Sequence, residues 1–133
     1  FQRDYDPSMP DLHGDRNQLL QAVLNIVRNA MQALQENNTP DALIIIRTRV
    51  QRRFTIGKAH HKLVCRLDVI DNGVGIPSDI LGTIFYPMIS GRADGTGLGL
   101  AISQSIVAQH HGLVECESQP GCTRFSMYLP VDA

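Results

Sequence analysis

The chain has 133 residues, of which 43% are hydrophobic and 19% are charged. This composition is ordinary for a globular protein, and the length fits one domain with a single core. A formal net charge of −1 argues against a nucleic-acid-binding module. The longest aliphatic run, residues 42–46, is too short to cross a membrane, so we expect no membrane contact by this domain. Cys65, Cys116 and Cys122 lack the spacing of a zinc site or disulfide framework and favour the reducing cytoplasm.

The first third of the chain predicts a short strand and then a long helix. Residues 1–5 have the character of a strand, and the prolines within residues 6–10 end it. A helix capped by Asp15 follows, and the sequence at 37–40 stops it. Its apolar residues recur at three- and four-residue spacing and form one stripe: Leu19, Leu20, Val23, Val27, Ala30, Met31 and Leu34.

Two asparagines, Asn25 and Asn29, lie four residues apart on this helix and therefore on one face of it. Asparagine is disfavoured inside helices, so a pair of them suggests a role other than helix formation. Two amide oxygens one turn apart suit a hard cation and the oxygens of a phosphate. The alternative is a pair of solvated surface amides.

Residues 42–53 and 62–70 alternate and are rich in β-branched side chains, which predicts an antiparallel hairpin with its turn within residues 55–60. Seven basic residues and no acidic residue occur between positions 47 and 66. They are Arg47, Arg49, Arg52, Arg53, Lys58, Lys62 and Arg66. Such charges either solvate an outer face and block edge pairing, or contact an acidic partner.

The heptapeptide at residues 71–77 follows the second strand directly. Asp71 stands at the strand end, and Gly73 and Gly75 come just after it. A carboxylate beside glycines can bind the edge of a planar ligand, because the missing β-carbons let the ligand lie against the backbone. A simple turn is the other interpretation.

The next stretch predicts a short helix through Phe85, capped by Ser78 or Asp79. Its expected buried side comprises Ile80, Leu81, Ile84 and Phe85. Residues 89–94 are small and polar, which suggests a mobile flap over a site.

A second long helix opens at residues 95–100. Its expected apolar side comprises Leu98, Leu100, Ala101, Ile102, Ile106 and Val107. Glycines at a helix start expose main-chain N–H groups to an anion. Their G-x-G-x-G spacing matches neither the dinucleotide fingerprint nor the P-loop. The chain closes with a hairpin of residues 113–118 and 123–131.

Four separated motifs occur in an informative order: NIVRNAMQAL, DNGVGIP, IFYPM and GTGLGL. With them, the chain resembles the catalytic ATP-binding domain of sensor histidine kinases, in the superfamily of gyrase, Hsp90 and MutL. RDYDPSMP and FYPMISGRADGTGLGL resemble the nitrogen-regulation branch. The resemblance implies an α/β two-layer sandwich of the Bergerat type, a mixed, mostly antiparallel sheet of about five strands with about three helices on one face. Residues 1–133 would form this domain alone, without dimerisation, phosphoacceptor or sensor domains.

The resemblance also implies how ATP is bound at the base end of the site. Asp71 would accept a hydrogen bond from the adenine amino group, and Gly73, Gly75 and Ile76 would lie against the base. Thr123 would support Asp71.

At the phosphate end, the resemblance implies that Asn29 ligates Mg²⁺ and that Asn25 supports nucleotide and metal; these two are the implied catalytic residues. Other implied ATP-binding residues are Arg92, Gly95, Thr96, Gly97, Leu98, Gly99 and Leu100. Many relatives carry a basic residue where this chain has Gln32, so Arg28 or Arg92 would compensate the phosphate charge. Asn25 replaces the glutamate of hydrolytic relatives, and an amide cannot act as a general base.

The phosphate acceptor is expected on another domain. Histidine kinases usually follow the acceptor histidine with an acidic residue, and no such residue follows any histidine here: His13, His60, His61, His110 and His111. We therefore expect the chain to bind ATP without labelling itself.

Three functions remain open: a histidine kinase domain, a serine-directed kinase of the same superfamily, and a nucleotide-switched binding module. Partners implied by the resemblance are the parent's dimerisation domain, an NtrC-like response regulator and a PII-type signalling protein. Arg92 and the basic hairpin are the candidate contact surfaces.

Overall fold

The computed structural model describes residues 1–85 and 99–131, which form one five-stranded sheet and three helices. In chain order the elements are β1 (Gln2–Asp4), α1 (Arg16–Glu36), β2 (Ile44–Ile56), β3 (Ala59–Asp71), α2 (Ser78–Leu81), α3 (Gly99–Gln109), β4 (Leu113–Gln119) and β5 (Cys122–Pro130). The strand order is β1-β2-β3-β5-β4, with β1 parallel to β2 and every other pair antiparallel. The predicted α/β sandwich with a mixed, mostly antiparallel sheet is confirmed.

The core lies between the sheet and the two longer helices. Because side chains alternate along a strand, every second residue of the central strands faces the helices. Buried residues of this layer include Ile26, Ala30, Ile44, Val69, Val107, Phe125 and Met127. Among the described residues, no helix is both long and apolar enough to span a membrane.

Helix α1 begins and ends where the sequence predicts. The Asp15 carboxylate accepts the N–H of Gln18 at 3.1 Å, which satisfies one of the free donors at the helix start. The Asp15 N–H in turn donates to Nε2 of His110 at 3.0 Å, which ties the start of α1 to the end of α3. The predicted apolar stripe was too wide, because Leu20 is 54% exposed and Met31 is 38% exposed.

The β2–β3 hairpin is longer than predicted. Thr55 and His60, expected in the turn, pair across the strands, with Thr55 Oγ1 2.8 Å from His60 Nδ1. The turn therefore shrinks to Gly57 and Lys58, where Gly57 supplies a φ of 60°. Strand β5 pairs with β3 only from Val64 onward, so residues 52–63, called the arm below, pair as strands only with each other.

The basic run divides into a neutralised part and an exposed part. Arg47 and Arg66 each lie 2.9 Å from the Asp68 carboxylate, and Arg49 lies 2.7 Å from that of Asp4. The other four basic residues, all in the arm, are exposed: Arg52, Arg53, Lys58 and Lys62. The arm contains no acidic residue, so its charge is not balanced within it.

Asp68 is a fully buried carboxylate on the sheet face opposite the helices. Burial alone would raise its pKa, but hydrogen bonds from Ser126, Arg66 and Arg47 outweigh burial and hold the pKa below its usual value. Ser126 Oγ donates to Oδ1 at 2.7 Å, while both arginines donate to Oδ2. Asp68 is therefore ionised and fastens three strands together.

Helix α2 is shorter than predicted and lacks the predicted cap. It spans Ser78–Leu81 with Pro77 at the N-cap position and no side-chain capping bond, so the prediction of a cap at Ser78 or Asp79 was wrong. The helix ends at Leu81, four residues before Phe85, because the next residue, Gly82, is a poor helix former. Phe85 nevertheless packs edge-on against Phe125, with ring centroids 6.1 Å apart.

Helix α3 faces α1 through a residue that the apolar pattern did not include. Ser103 is buried, and its hydroxyl donates to the carbonyl of Ala22 at 2.8 Å. Ile102, predicted on the apolar side, is 38% exposed because Ser103 occupies the interface with α1 instead. The predicted flap at 89–94 lies outside the described residues, and so do Gly95 and Gly97, two of the glycines predicted at the start of this helix.

Candidate nucleotide-binding site

Asp71 is the last residue of β3, and only 4% of it is exposed. Its main chain pairs with Thr123 of β5 on one side and Ile44 of β2 on the other. Its Oδ1 accepts the N–H of Gly73 at 2.9 Å. A carboxylate fixed in this way has a defined orientation before any ligand binds. It is therefore suited to accept a hydrogen bond from a donor on a planar ring.

Gly73 lies where a side chain has no room. A β-carbon at this position would stand 2.9 Å from Asp71 Oδ1 and 3.3 Å from Leu34 Cδ2. The absence of a side chain therefore lets the chain turn closely over the carboxylate and against the C-terminal half of α1. We expect a base bound to Asp71 to lie against this part of the backbone.

Gly75 lies against the turn between β4 and β5. Its φ is 91°, and a β-carbon there would stand 2.8 Å from the carbonyl oxygen of Gln119. The N–H of Gly121 donates to the carbonyl of Gly73 at 2.9 Å. Residues 73–76, called the glycine turn below, are thus held by main-chain contacts to a neighbouring hairpin.

Thr123 occupies the position predicted for it, beside Asp71. It is 4% exposed and pairs directly with Asp71 in the antiparallel register. Its Oγ1 lies 2.8 Å from Oγ of Ser118, and Ser118 Oγ accepts the N–H of Ile76 at 2.7 Å. Four predicted residues (Asp71, Gly73, Gly75 and Ile76) therefore meet Thr123 in one corner of the domain.

Sequence reasoning missed Ser118. The signal that points to it is the two-residue turn at Pro120 and Gly121, because such a turn fixes the hairpin register and places Ser118 opposite Thr123.

Asn72 was also missed, and it has a structural role. Its Oδ1 accepts the N–H of Leu43 at 2.8 Å, and its Nδ2 donates to the carbonyl of Asp41 at 2.9 Å. The side chain therefore fastens the loop after α1 to the end of β3. An Asn-Gly pair after a strand suggests a turn, and no local pattern shows that this amide reaches across to another loop.

Cys116 lies on the same face of the sheet as Asp71. Burial, with smaller contributions from the charges of Asp71 and Glu117, raises the pKa of its thiol to about 12. The thiol is therefore protonated at neutral pH and packs against the core as an apolar group, not as a nucleophile.

The phosphate end of the predicted site lies further back along α1. Leu34 contacts Gly73, and Asn29 stands five residues earlier, about 7.5 Å along the helix axis. Asn25 lies another turn away, where a β-carbon built on Gly99 of α3 would be 3.9 Å from Asn25 Cβ. Helix α1 thus links the corner at Asp71 with the first described residue of α3. Leu100, the next residue, packs against the core.

Amide oxygens are the candidate metal ligands in the described part of the chain. Within residues 1–85 and 99–131, no group of three or more His, Cys, Asp or Glu side chains lies together. The amide oxygen of Asn29 is a hard donor of the kind that Mg²⁺ accepts beside phosphates. The site therefore fits a magnesium ion that arrives with a nucleotide. The remaining predicted residues, Arg92, Gly95, Thr96, Gly97 and Leu98, lie outside the described part of the chain.

A buried carboxylate among glycines, on a sheet covered by a helix that carries two half-buried asparagines, defines an α/β nucleotide-binding domain. Residues 14–133 match the family described as histidine kinase-, DNA gyrase B-, and HSP90-like ATPase. The chain belongs to this family.

Its relatives lie in the histidine kinase branch. The chain is 51% identical over 129 residues to the sensory histidine kinase/phosphatase NtrB of Klebsiella oxytoca, covering 97% of this chain and 36% of the relative. Its fold matches the catalytic domain of histidine kinase ThkA, with 25% identity and a TM-score of 0.77, over 97% of this chain and 76% of the other. Full-length ShkA in complex with AMPPNP matches with 25% identity and a TM-score of 0.73, over 97% of this chain and 25% of the ShkA chain. The chain is thus an ATP-binding domain of the histidine kinase type, and it spans about a third of the length of its curated relatives.

The contact at Gly75 generates a prediction with a matched control. Gly75→Ala and Gly121→Ala both place a side chain at nearly the same positive φ, 91° and 89°, but only at Gly75 does the β-carbon meet a backbone atom within 4 Å. Both variants should lose roughly 1–2 kcal/mol of unfolding free energy from the backbone conformation. Gly75→Ala should lose about 1–3 kcal/mol more, because the Gln119 carbonyl cannot move freely.

Urea unfolding of the two variants and the wild type measures this difference. Equal losses at the two positions would contradict a tight contact between the glycine turn and the hairpin.

Proposed function

We propose that this chain binds Mg-ATP and positions its terminal phosphoryl group for transfer to a histidine on a separate dimerisation domain, in a two-component sensor kinase of the nitrogen-regulation type. The observation that carries the proposal is the arrangement along α1. The buried Asp71 and Gly73 lie at one end, and Asn29 and Asn25 follow toward α3. The similarity to NtrB proteins over 97% of the chain supports the nitrogen-regulation part.

In this proposal Asp71 accepts the adenine amino group, and Gly73 and Gly75 leave room for the ring. Asn29 holds a magnesium ion against the phosphates, and Asn25 supports both from one turn earlier. Magnesium supplies positive charge that offsets the negative charge of the phosphates during transfer. These groups position the reactants, which is the main contribution of proteins that transfer phosphoryl groups.

The chemistry of Asn25 favours transfer over hydrolysis. An amide has no pKa in the range that would let it take a proton from water, so it cannot serve as a general base. During transfer, the bond from the terminal phosphorus to the bridging oxygen breaks, a bond to an imidazole nitrogen forms, ADP leaves, and the imidazole N–H proton passes to solvent. A serine-directed kinase of the same family is the alternative, and the identity of the acceptor distinguishes the two.

The parent protein belongs to this proposal as well. We infer that a dimerisation domain supplies the acceptor histidine, that a response regulator receives the phosphoryl group, and that the domain works in the cytoplasm. The relatives of which this chain covers 36% are named as sensory kinase/phosphatases, which supports further domains in the parent.

Asn29→Ala should lower phosphoryl transfer to the acceptor domain about a hundredfold or more, because the phosphates lose their positioned metal. The matched control is Gln35→Ala, which removes an exposed amide from the same helix and should leave the rate unchanged. The measurement uses radiolabelled ATP and the separate dimerisation domain of an NtrB protein, with acid- and base-stability of the label identifying phosphohistidine.

The chain alone should remain unlabelled. Phosphohistidine on the isolated chain, phosphoserine on the acceptor, or full activity of Asn29→Ala would each contradict this proposal.

We further propose that the arm contacts an acidic partner, with a PII-type signalling protein as the first candidate. Four exposed cations without an acidic neighbour in the arm support this, since such a surface steers partners of opposite charge. Phe54, which stacks on Tyr128 with ring centroids 4.5 Å apart, anchors the arm to the sheet.

Reversing two of these charges, Arg52→Glu with Arg53→Glu, should weaken binding of the PII-type protein about tenfold or more at low salt, because the variant repels an acidic surface. Arg3→Glu with Arg16→Glu, a double reversal at two exposed cations outside the arm, is the charge-matched control. Surface plasmon resonance measures both. Unchanged affinity in the double variant, or an equal loss in the control, would remove the arm as the contact.

A further inference from the structure

Ser118, Thr123 and Asp71 form one row across three neighbouring strands. Ser118 of β4 pairs with Thr123 of β5, and Thr123 pairs with Asp71 of β3. All three lie on the helix-facing side, and neighbouring strands are about 4.8 Å apart. The Ser118 and Thr123 hydroxyl oxygens are 2.8 Å apart, so the first two members of the row are hydrogen-bonded.

The direction of this row follows from a count of donors and acceptors. Ser118 Oγ accepts the main-chain N–H of Ile76, which can only donate. The single O–H of Ser118 can then donate to Thr123 Oγ1, which leaves the O–H of Thr123 available to donate to the carboxylate of Asp71, its cross-strand neighbour. An ionised carboxylate only accepts hydrogen bonds. The opposite direction would turn a lone pair of Thr123 toward that carboxylate, which is unfavourable.

The same serine also holds the glycine turn. Its bond to Ile76 lies on one side of Gly75, and the bond from the Gly121 N–H to the Gly73 carbonyl lies on the other. These two bonds fix the backbone against which the base is expected to lie. One hydroxyl thus orders the backbone beside the expected base and leaves the Thr123 O–H available to the carboxylate that we propose binds the base.

We propose that Ser118 is a positioning residue for adenine recognition, acting through Ile76 on the glycine turn and through Thr123 on Asp71. This inference rests on the proposed function of Asp71 as the acceptor for the adenine amino group. A merely structural serine would change the affinity for all nucleotides alike. A positioning serine should change the preference for adenine over hypoxanthine, because hypoxanthine carries an oxygen where adenine carries the amino group.

The experiment measures dissociation constants of ATP and ITP by calorimetry for the full chain and four variants. Ser118→Ala should weaken ATP binding about five- to tenfold, as expected for one lost hydrogen bond. It should weaken ITP binding less, so the ratio of the ITP to the ATP dissociation constant should fall. Ser118→Thr, which keeps the hydroxyl, should restore the preference. Thr123→Val removes the middle hydroxyl of the row but leaves the Ser118–Ile76 bond. It should also reduce the preference for ATP over ITP, and it tests the proposal even if Ser118→Ala fails to fold.

Asp71→Asn distinguishes the proposed base site at Asp71 from the proposed positioning role of Ser118. If Asp71→Asn loses the preference for ATP while Ser118→Ala and Thr123→Val keep it, the role of Ser118 is wrong and the base site stands. If Asp71→Asn keeps the preference, the base site itself is wrong. Urea midpoints of the variants show that each protein compared is folded.

Discussion

The contact between the glycine turn and the β4–β5 hairpin is the constraint on which the site depends. Gly75 approaches the Gln119 carbonyl so closely that a β-carbon would stand 2.8 Å from it, and the flanking residues Gly73 and Ile76 are hydrogen-bonded to the same hairpin. Because β5 also pairs with β3, the strand that ends in Asp71, the carboxylate and the turn share one rigid support. The corner that we propose binds the base is therefore already ordered without a nucleotide, which would lower the entropy lost on binding.

Two buried aspartates of β3 face opposite sides of the sheet and have different surroundings. Asp68 faces away from the helices, where Arg47, Arg66 and Ser126 donate to its oxygens, and it fastens β2, β3 and β5 together. Asp71, three residues later, faces the helices beside the glycine turn. The alternation of side chains along a strand puts odd and even positions on opposite faces, so the structural ion cluster and the candidate ligand site do not interfere.

Most of the fold was predictable because its signals are local. The apolar spacing of α1, the cap at Asp15 and the strand alternation each specify their element within a few residues. Two errors arose where contacts distant in sequence decide. Leu20 and Ile102 are apolar by pattern but exposed, since sheet and helix packing left them outside the core. A third error was local: the cap expected at Ser78 or Asp79 is absent because the neighbouring Pro77 takes the N-cap position.

The same distinction applies to the site. The motif around Asp71 was readable from sequence, and the structure brings Gly73, Gly75, Ile76 and Thr123 to it. The roles of Ser118 and Asn72 depend on hydrogen bonds to residues 42 and 29 positions away in the chain. No local pattern reports such bonds, although the register of the last hairpin does place Ser118 opposite Thr123.

The measurement that tests the central claim most directly is a calorimetric titration of the chain with ADP, with and without Mg²⁺, for wild type and Asp71→Asn. We predict saturable one-site binding that strengthens with Mg²⁺ and weakens at least about tenfold in the variant, which loses a charged hydrogen-bond acceptor. No binding up to millimolar ADP, or equal affinity in the two proteins, would contradict the assignment of this corner as the base site.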